Sequence, residues 1–282
     1  MMQGTTGQDL LARVATRTRV KAVPRRVPAQ LLMERLADTT TTERTALQRV
    51  LGVSPLSAED WPWYQGALGE QEVGRELSRL PLGWHVFHSL PIGTGMSDVD
   101  HVVVGPQGVF TINAKHHRGG RVWARGVSVR VNGRRQQYVR AAQHEARGVA
   151  RILADAGVVE VPVRACVAIV GARGVDAKVL PDGVDLAPAS QLVRILVSRP
   201  ASLSESQADS ICAALERYSA SMVPPTQEVK VHWDELHRGE REARSVRRLW
   251  SLAGGAALVT GALTLGQGAI ALAGTLITGL VR

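Results

Sequence analysis

The chain has 282 residues, of which 45% are apolar and 21% are charged, and its formal net charge is +9. This composition is typical of a globular protein with one or two domains. The two cysteines, Cys166 and Cys212, lack the spacing of zinc or redox sites, so we expect unpaired thiols in a reducing compartment.

Residues 1–60 are basic and interrupted by prolines, and we expect them to be partly disordered, with one or two short helices within 31–50. Charged residues such as Asp9 and Arg13 interrupt the start, so no secretory signal is predicted there. Residues 54–63 contain two prolines and two tryptophans and are interpreted as a linker.

The organised part is expected over 61–220, where apolar periodicity predicts alternating strands and helices. The predicted elements are a helix over 69–80, strands over 84–90, 99–104, 109–115, 121–124 and 127–131, a helix over 137–154 and a strand over 163–170. A loop-rich stretch over 171–188 and helices over 189–197 and 204–218 complete the region. Residues 221–248 are charged and are predicted to form a helical linker.

The strands over 99–104 and 109–115 flank Gly105-Pro106-Gln107-Gly108. If these four residues form the hairpin loop, Asp100 faces Asn113 and Asp98 faces Lys115. Alternation along each strand then gathers these four side chains on one face. The opposite face would receive a second set, consisting of Val99, Val103, Phe110, Ile112 and Ala114.

Two carboxylates, an amide and an ammonium within one patch suit phosphodiester hydrolysis. A divalent cation prefers oxygen ligands such as those of Asp100. A neighbouring lysine, here Lys115, can stabilise the charge that develops on a phosphate. The alternative interpretation is a surface salt bridge between Asp98 and Lys115.

Four sequence blocks together resemble the nuclease-related domain (NERD) family. These are Gly-Ala-Leu-Gly-Glu at 66–70, Ser-Asp-Val-Asp-His-Val-Val-Val-Gly-Pro at 97–106, Gly-Val-Phe-Thr-Ile-Asn-Ala-Lys at 108–115, and Gln143. The resemblance covers about 64–155 and implies a restriction-endonuclease-like α/β fold, with a mixed central sheet flanked by helices. It also implies a Mg²⁺-dependent, DNA-cleaving ancestry.

The resemblance assigns catalytic roles to individual residues. Glu70 matches the helix acid, Asp100 the metal-binding Asp, Lys115 the catalytic lysine and Gln143 the glutamine of the following helix. Asn113 stands where the superfamily usually has Glu, which removes a carboxylate and puts activity in doubt.

An amide oxygen still coordinates Mg²⁺, so the implied metal ligands are Asp100 and Asn113, with Asp98 as the candidate second carboxylate. Glu76 is a rival for the role of Glu70, because it borders the other edge of the same helix stripe. His116 and His117 follow Lys115 directly, and the sequence favours a structural or solvent-facing place for them over a zinc site.

Positive charge is concentrated between Arg118 and Arg151, where nine arginines accompany one acid, Glu145. Such a segment is expected to bind the phosphates of nucleic acid, or alternatively an anionic lipid surface. The candidate nucleic-acid-binding residues are Arg118, Arg121, Arg125, Arg134, Arg135 and Arg140.

The C-terminal tail, 249–282, contains 32 consecutive uncharged residues from Trp250 to Val281. This length predicts a transmembrane helix, or a hairpin around Gly266-Gln267-Gly268; the alternative is a buried glycine-rich helix pair. The basic residues just before the tail place the nuclease-like domain on the cytoplasmic side.

The sequence therefore predicts a membrane-tethered, Mg²⁺-dependent nuclease. The alternative is a catalytically degenerate module that binds nucleic acid or anionic lipid without cleavage.

Overall fold

A computed structural model of the chain describes residues 26–93, 98–158, 160–220 and 223–280, with backbone alone from 254 to 280. The described residues form two compact units. The first comprises residues up to 36 together with 62–229, and the second comprises 37–61 together with residues from 230 onward.

The described part of the chain contains nine strands and seven α-helices. The strands are β1 (His85–Pro91), β2 (Asp98–Gly105), β3 (Gly108–His116), β4 (Arg121–Arg125), β5 (Ser128–Val131), β6 (Arg134–Gln136), β7 (Val163–Val170), β8 (Gly174–Lys178) and β9 (Val184–Pro188). The helices are α1 (Gln30–Thr39), α2 (Ala46–Val50), α3 (Trp61–Leu77), α4 (Tyr138–Asp155), α5 (Leu192–Val197), α6 (Glu205–Ser219) and α7 (Gln227–Leu280). A short 3₁₀ turn, Ala189–Gln191, precedes α5.

The larger sheet has the order β1-β2-β3-β7-β9. Strands β1, β2 and β3 are antiparallel neighbours, whereas β7 and β9 run parallel to β3, so the sheet is mixed, as the family resemblance implies. The hairpin confirms the predicted register from Val104 opposite Val109 to His101 opposite Ile112, but Gly105 pairs with Gly108, so the connecting loop is Pro106-Gln107 rather than four residues. The predicted pairs of Asp100 with Asn113 and of Asp98 with Lys115 lie beyond the last pair.

A second sheet of four short strands has the order β6-β5-β4-β8. The sequence reading of 171–188 as loop is wrong, because β8 pairs with β4 and β9 pairs with β7. Strand β8 alternates between exposed and half-buried residues and has no apolar run, so its order comes from pairing with β4.

Helices cover both faces of the larger sheet. On one face, α3 places Val73 and Leu77 against Phe110 and Ile112 of β3. The other face is covered by α4 and α6, whose apolar residues surround Val102, Val104 and Val109. These two buried layers fix the distance of α3 and α4 from the central hairpin.

The predicted position of Val99 is wrong. It packs with Val102 and Leu90 on the α4 side of the sheet, and not with Phe110 and Ile112. Its partner strand carries Ser89 at φ 47°, between the pairs His88–His101 and Leu90–Val99. A residue at positive φ departs from the regular pleat, and the change in alternation on β2 lies at the same level of the sheet.

The interpretation of 54–63 as a linker is also corrected, because α3 begins at Trp61. Pro62 does not prevent this, since a proline at the first helical turn removes no intrahelical hydrogen bond. The longer helix places Tyr64 and Ala67 in the core of the first unit.

In the second unit, the predicted charged helix over 221–248 belongs to α7, which starts at Gln227. It buries Glu240, whose carboxylate accepts a hydrogen bond from Ser54 and pairs with Arg244 and Arg247. Residues 37–61 therefore form ordered structure with α7, whereas the first 25 residues of the predicted disordered region lie outside the description.

No helix among the described residues is long and apolar enough to cross a membrane. The predicted membrane tail falls mainly on 254–280, whose side chains lie outside the description, and on 281–282, which are not described. A membrane-inserted tail with the domain on the cytoplasmic side stays a prediction.

Gly105 lies at the end of β2 in the central hairpin, and a substitution there measures how tightly the hairpin is packed. A Cβ at this position would overlap the indole ring of Trp84, which stacks on Phe110. We expect Gly105→Ala to lower the free energy of unfolding by about 1–3 kcal/mol through overpacking. Gly174→Ala is the control, because its Cβ would meet no atom within 4 Å. Urea denaturation measures both; equal stabilities would contradict the close packing.

Candidate active site

Residues from four elements meet near the start of β2 and the end of β3. Helix α3 contributes Glu70, β2 contributes Asp98 and Asp100, β3 contributes Asn113 and Lys115, and α4 contributes Glu145. Electrostatic interactions link all four carboxyl groups to Lys115.

Glu70 reaches the cluster because α3 approaches the end of β3 closely. A Cβ on Gly69 would lie 3.0 Å from the Cβ of His116, so the absence of a side chain permits this contact. The Glu70 side chain is buried. Burial raises its pKa well above the ordinary value, and the charges of Asp100 and Asp98 raise it further, whereas the backbone of Ala29 slightly opposes the rise of this pKa.

The rival acid Glu76 and the remaining acid of α3, Glu72, are engaged elsewhere. Glu76 forms an ion pair with Arg79 at 2.7 Å, and Glu72 pairs with Arg75. Glu70 is thus the acid that α3 presents to the cluster.

Asp100 is the acid at the centre of the site. Its Oδ2 accepts a hydrogen bond of 2.6 Å from the backbone amide of Ala114, which lies just beyond the last hairpin pair. Burial raises the pKa of Asp100, while the nearby Lys115 ammonium and the Ala114 amide oppose that rise. One backbone hydrogen bond therefore fixes this carboxylate against β3.

Asp98 lies beside Asp100 and is less buried. Burial, followed by the charge of Asp100, raises the pKa of Asp98 to about 7, and the Arg26 guanidinium opposes this rise. Its interaction with Lys115 is the weakest of those that act on its pKa, so the alternative of a simple Asp98–Lys115 salt bridge does not describe the site.

Glu145 is a site residue that the sequence analysis missed. The Asn113 amide nitrogen donates a hydrogen bond to Oε1 of Glu145, and both side chains are buried. Burial, followed by the charge of Asp100, raises the pKa of Glu145 to about 8. The available signal was an acid lying on the apolar stripe of α4, next to Ala142 and Ala146.

Two buried oxygens of this pair lack a hydrogen-bond partner among the described residues. They are Oδ1 of Asn113 and Oε2 of Glu145. A buried acceptor without a partner is costly, so such atoms commonly mark a place for water, a cation or a substrate group.

Lys115 supplies the positive charge of the cluster and lies next to Tyr138. Its ammonium nitrogen is 5.7 Å from the centre of the Tyr138 ring. The Tyr138 hydroxyl and Nε2 of His117 are 2.7 Å apart, and the two rings stack. His117 is therefore held by Tyr138, in agreement with the structural place that the sequence favours, and no zinc-type ligand set accompanies it in the described part of the chain.

Gln143 lies two residues before Glu145 on α4, about 200° around the helix at 100° per residue. It is half-buried, and no described residue forms a hydrogen bond with its side chain. The geometry therefore brings Glu145, rather than Gln143, to the cluster.

The oxygens of this cluster suit a hard divalent cation such as Mg²⁺. Among the described residues, no group of three or more His, Cys, Asp or Glu side chains is arranged to hold a metal ion. Mg²⁺ does not require such a group, because it commonly takes one or two carboxylates together with water and phosphate oxygens. Asp100, Glu145 and the free amide oxygen of Asn113 match that type of ligand set.

The predicted nucleic-acid-binding arginines all lie on the surface. Arg118, Arg121, Arg125, Arg134, Arg135 and Arg140 are exposed, and so are the remaining three arginines of the segment. They belong to the second sheet, its flanking loops and α4, which directly follow β3 along the chain.

Comparison with known proteins identifies the region that holds this cluster. An uncharacterized protein of Bacillus anthracis is 36% identical over 62 residues, which are 21% of this chain and 29% of that protein. The chain thus spans less than a third of that relative's length. No solved structure matches the chain significantly.

A family match covers the sheet and helices that supply the site. Residues 65–170 match the family described as nuclease-related domain. This range includes five of the clustered side chains on β2, β3 and α4, together with Glu70 on α3. The chain therefore carries a nuclease-related (NERD) domain over residues 65–170.

Proposed function

We propose that the nuclease-related domain hydrolyses phosphodiester bonds of nucleic acid, DNA in the first place, with the help of a divalent cation such as Mg²⁺. The observation that carries this proposal is the burial of four carboxyl groups around one lysine. Burial raises the pKa of every one of these acids, and repulsion from neighbouring carboxylates raises the pKa values of Glu70, Asp98 and Glu145 further. Strongly perturbed acids that cluster at one spot are typical of functional sites.

The cation would be held by Asp100, Glu145 and the amide oxygen of Asn113, with Asp98 beside them. When bound, it would offset the negative charge of the scissile phosphate and make the attacking water more acidic. This arrangement gives a partner to the two buried oxygens that otherwise have none.

The chain's own groups would position the substrate and move its protons. Lys115 can donate a hydrogen bond to a non-bridging phosphate oxygen and stabilise the charge that develops there. Asp98 has a pKa of about 7, so its carboxylate can accept the proton of the attacking water near neutral pH. Glu70, which is buried at the same cluster, would orient that water.

The contact between Asn113 and Glu145 bears on the non-cleaving alternative. The sequence suggests a weakened site because Asn113 replaces an acid. The hydrogen bond from its amide holds Glu145 at the same place, so a carboxylate is supplied from α4 instead of β3. This contact favours a catalytic site over a degenerate one.

The first prediction concerns the two central residues. Asp100→Asn and Lys115→Met should each lower the cleavage of plasmid and single-stranded DNA by at least about 100-fold, because each removes a charge that acts on the transition state. Gel assays with Mg²⁺ or Mn²⁺ measure this effect. Asp182→Asn and Lys230→Met change exposed residues outside the cluster and should cleave normally. Cleavage that survives in Asp100→Asn would refute the proposal.

The second prediction exchanges the amide and the carboxylate of one pair. Glu145→Gln alone should lower cleavage by at least about tenfold, in line with the loss of a group close to a bound metal. The double variant Asn113→Asp with Glu145→Gln restores one carboxylate, now at position 113. The amide at position 145 can donate a hydrogen bond to it, so activity should recover in part. If the double variant is no better than the single one, Glu145 does not act through its charge at this spot.

The third prediction uses stability, which does not depend on cleavage. The folded pKa of Glu145, about 8, lies above the usual value near 4.3, so the folded state holds an extra proton between these values. The stability that this proton supplies is complete at low pH and is lost as pH rises toward about 8. Without metal, wild type should therefore lose stability between about pH 5.5 and 8 more steeply than Glu145→Gln does.

Chemical denaturation at several pH values measures this difference, because the other titrating groups are common to both proteins. Millimolar Mg²⁺ at pH 8 should stabilise wild type more than Glu145→Gln, since binding to the folded state alone adds stability. Parallel pH curves and equal Mg²⁺ effects would count against a cation at Glu145.

A further inference from the structure

The outer face of the second sheet is charged and bears an exposed aromatic ring. Side chains alternate on its strands, and Val122, Ala124 and Val129 point inward to a buried cluster that includes residues of α4 and β7. The outward residues of β4 are Arg121, Trp123 and Arg125. We refer to the outward-facing residues of β4, β5, β6 and β8 as the arginine face.

Cross-strand pairing forms a row across this face. Arg135 of β6 lies opposite Arg130 of β5, Arg130 lies opposite Trp123 of β4, and Trp123 lies beside Asp176 of β8. Directly opposed residues on one sheet face are roughly 5 Å apart. Trp123 therefore has an arginine, Arg130, as its direct cross-strand neighbour on one side.

Trp123 is the aromatic residue that β4 exposes on the arginine face. It is 41% exposed, although its neighbours in sequence, Val122 and Ala124, are buried. Among the described residues, neither a ring nor a cation stacks on it. Trp63 has almost the same exposure, 40%, but the Arg35 guanidinium covers its ring at 4.1 Å.

The arginines of this region also differ from others in the chain. Arg79, Arg199 and Arg247, for example, form ion pairs with nearby acids. All nine arginines between 118 and 151 are exposed, and none of them pairs with an acid in the part of the chain that the structure describes. The one acid on the arginine face, Asp176, is itself paired with Lys178.

We propose that the arginine face binds single-stranded nucleic acid, with a base stacked on Trp123 and the flanking phosphates held by Arg130 and Arg135. Unpaired arginines match a chain of phosphates in charge, and an open indole matches the flat face of a base. A duplex offers only base edges and phosphates, because its base faces are already stacked. The ring therefore favours a single strand over a duplex.

The inference rests on the proposed function for the class of substrate and adds the strandedness. Chain order supports a shared substrate: β3, which carries Asn113 and Lys115, leads into β4 through four residues. Strand β6 then leads into α4, which carries Glu145. Along the chain, β4, β5 and β6 of the arginine face thus lie between the strands and the helix that supply the candidate active site.

Binding measured without metal separates this inference from catalysis. The probes are fluorescein-labelled oligo(dT) of 20 nucleotides, the matching oligo(U) and a 20-base-pair duplex, each titrated with the full chain in EDTA at low salt. Wild type should bind a single strand at least about tenfold more tightly than the duplex. Comparison of oligo(dT) with oligo(U) distinguishes DNA from RNA as the source of the strand.

Trp123→Ala should weaken single-strand binding by roughly tenfold, and Trp123→Phe should retain most of it because a ring remains for stacking. Trp63→Ala is the matched control and should bind as wild type does. Arg130→Ala with Arg135→Ala should lower the salt dependence of binding, since two phosphate contacts are lost. Circular dichroism checks that each variant is folded.

Three results would overturn the inference: unchanged binding by Trp123→Ala, duplex binding as tight as single-strand binding, or binding only to vesicles rich in phosphatidylserine. Absence of cleavage with Mg²⁺ or Mn²⁺ would instead refute the proposed function. The binding results in EDTA would stand in that case, so the two failures are distinguishable.

Discussion

The candidate site depends on negative charge that is kept out of water. Four carboxyl groups share one spot with a single lysine, and each of them has a raised pKa because burial disfavours its charged form. A fold whose only requirement was stability would fill this space with apolar side chains, since buried and poorly compensated acids are costly. The cluster is therefore best explained by a ligand that carries positive charge or supplies donors.

Backbone contacts hold the acids in place. Asp100 is fixed by a hydrogen bond from the Ala114 amide, so its position does not depend on a flexible side-chain partner. The close approach of α3 at Gly69 has the same effect, because it leaves Glu70 little freedom to turn away. Side chains that are already fixed before the substrate binds do not have to be ordered during the reaction. A preorganised site therefore avoids that free-energy cost.

Sequence alone predicted the parts of the site that are set by local geometry. The register of the hairpin was predicted correctly from Val104 opposite Val109 to His101 opposite Ile112. The predicted pairs of Asp100 with Asn113 and of Asp98 with Lys115 lie beyond that last pair, so strict alternation does not account for the place of these two acids. The position of Val99 could not be foreseen, because alternation on β2 ends at the level where the partner strand carries Ser89 at a positive φ.

Strands β8 and β9 were missed for a similar reason, since their order comes from pairing with strands distant in sequence. The sequence analysis also missed Glu145 as a site residue for this reason. Its role depends on contact across 32 residues, and the arginine-rich composition around it concealed the signal.

The separation of the arginine face from the acidic cluster has a kinetic consequence. Contacts between arginines and distant phosphates are the same before and during bond cleavage, so they contribute to substrate affinity and not to the rate of the bound complex. Substitution of an arginine on the arginine face should thus mainly raise KM, whereas substitution of Asp100 or Lys115 should lower kcat. One continuous segment of the chain carries both regions, so in this proposal the same strand would contact the arginine face and present its scissile bond to the acids.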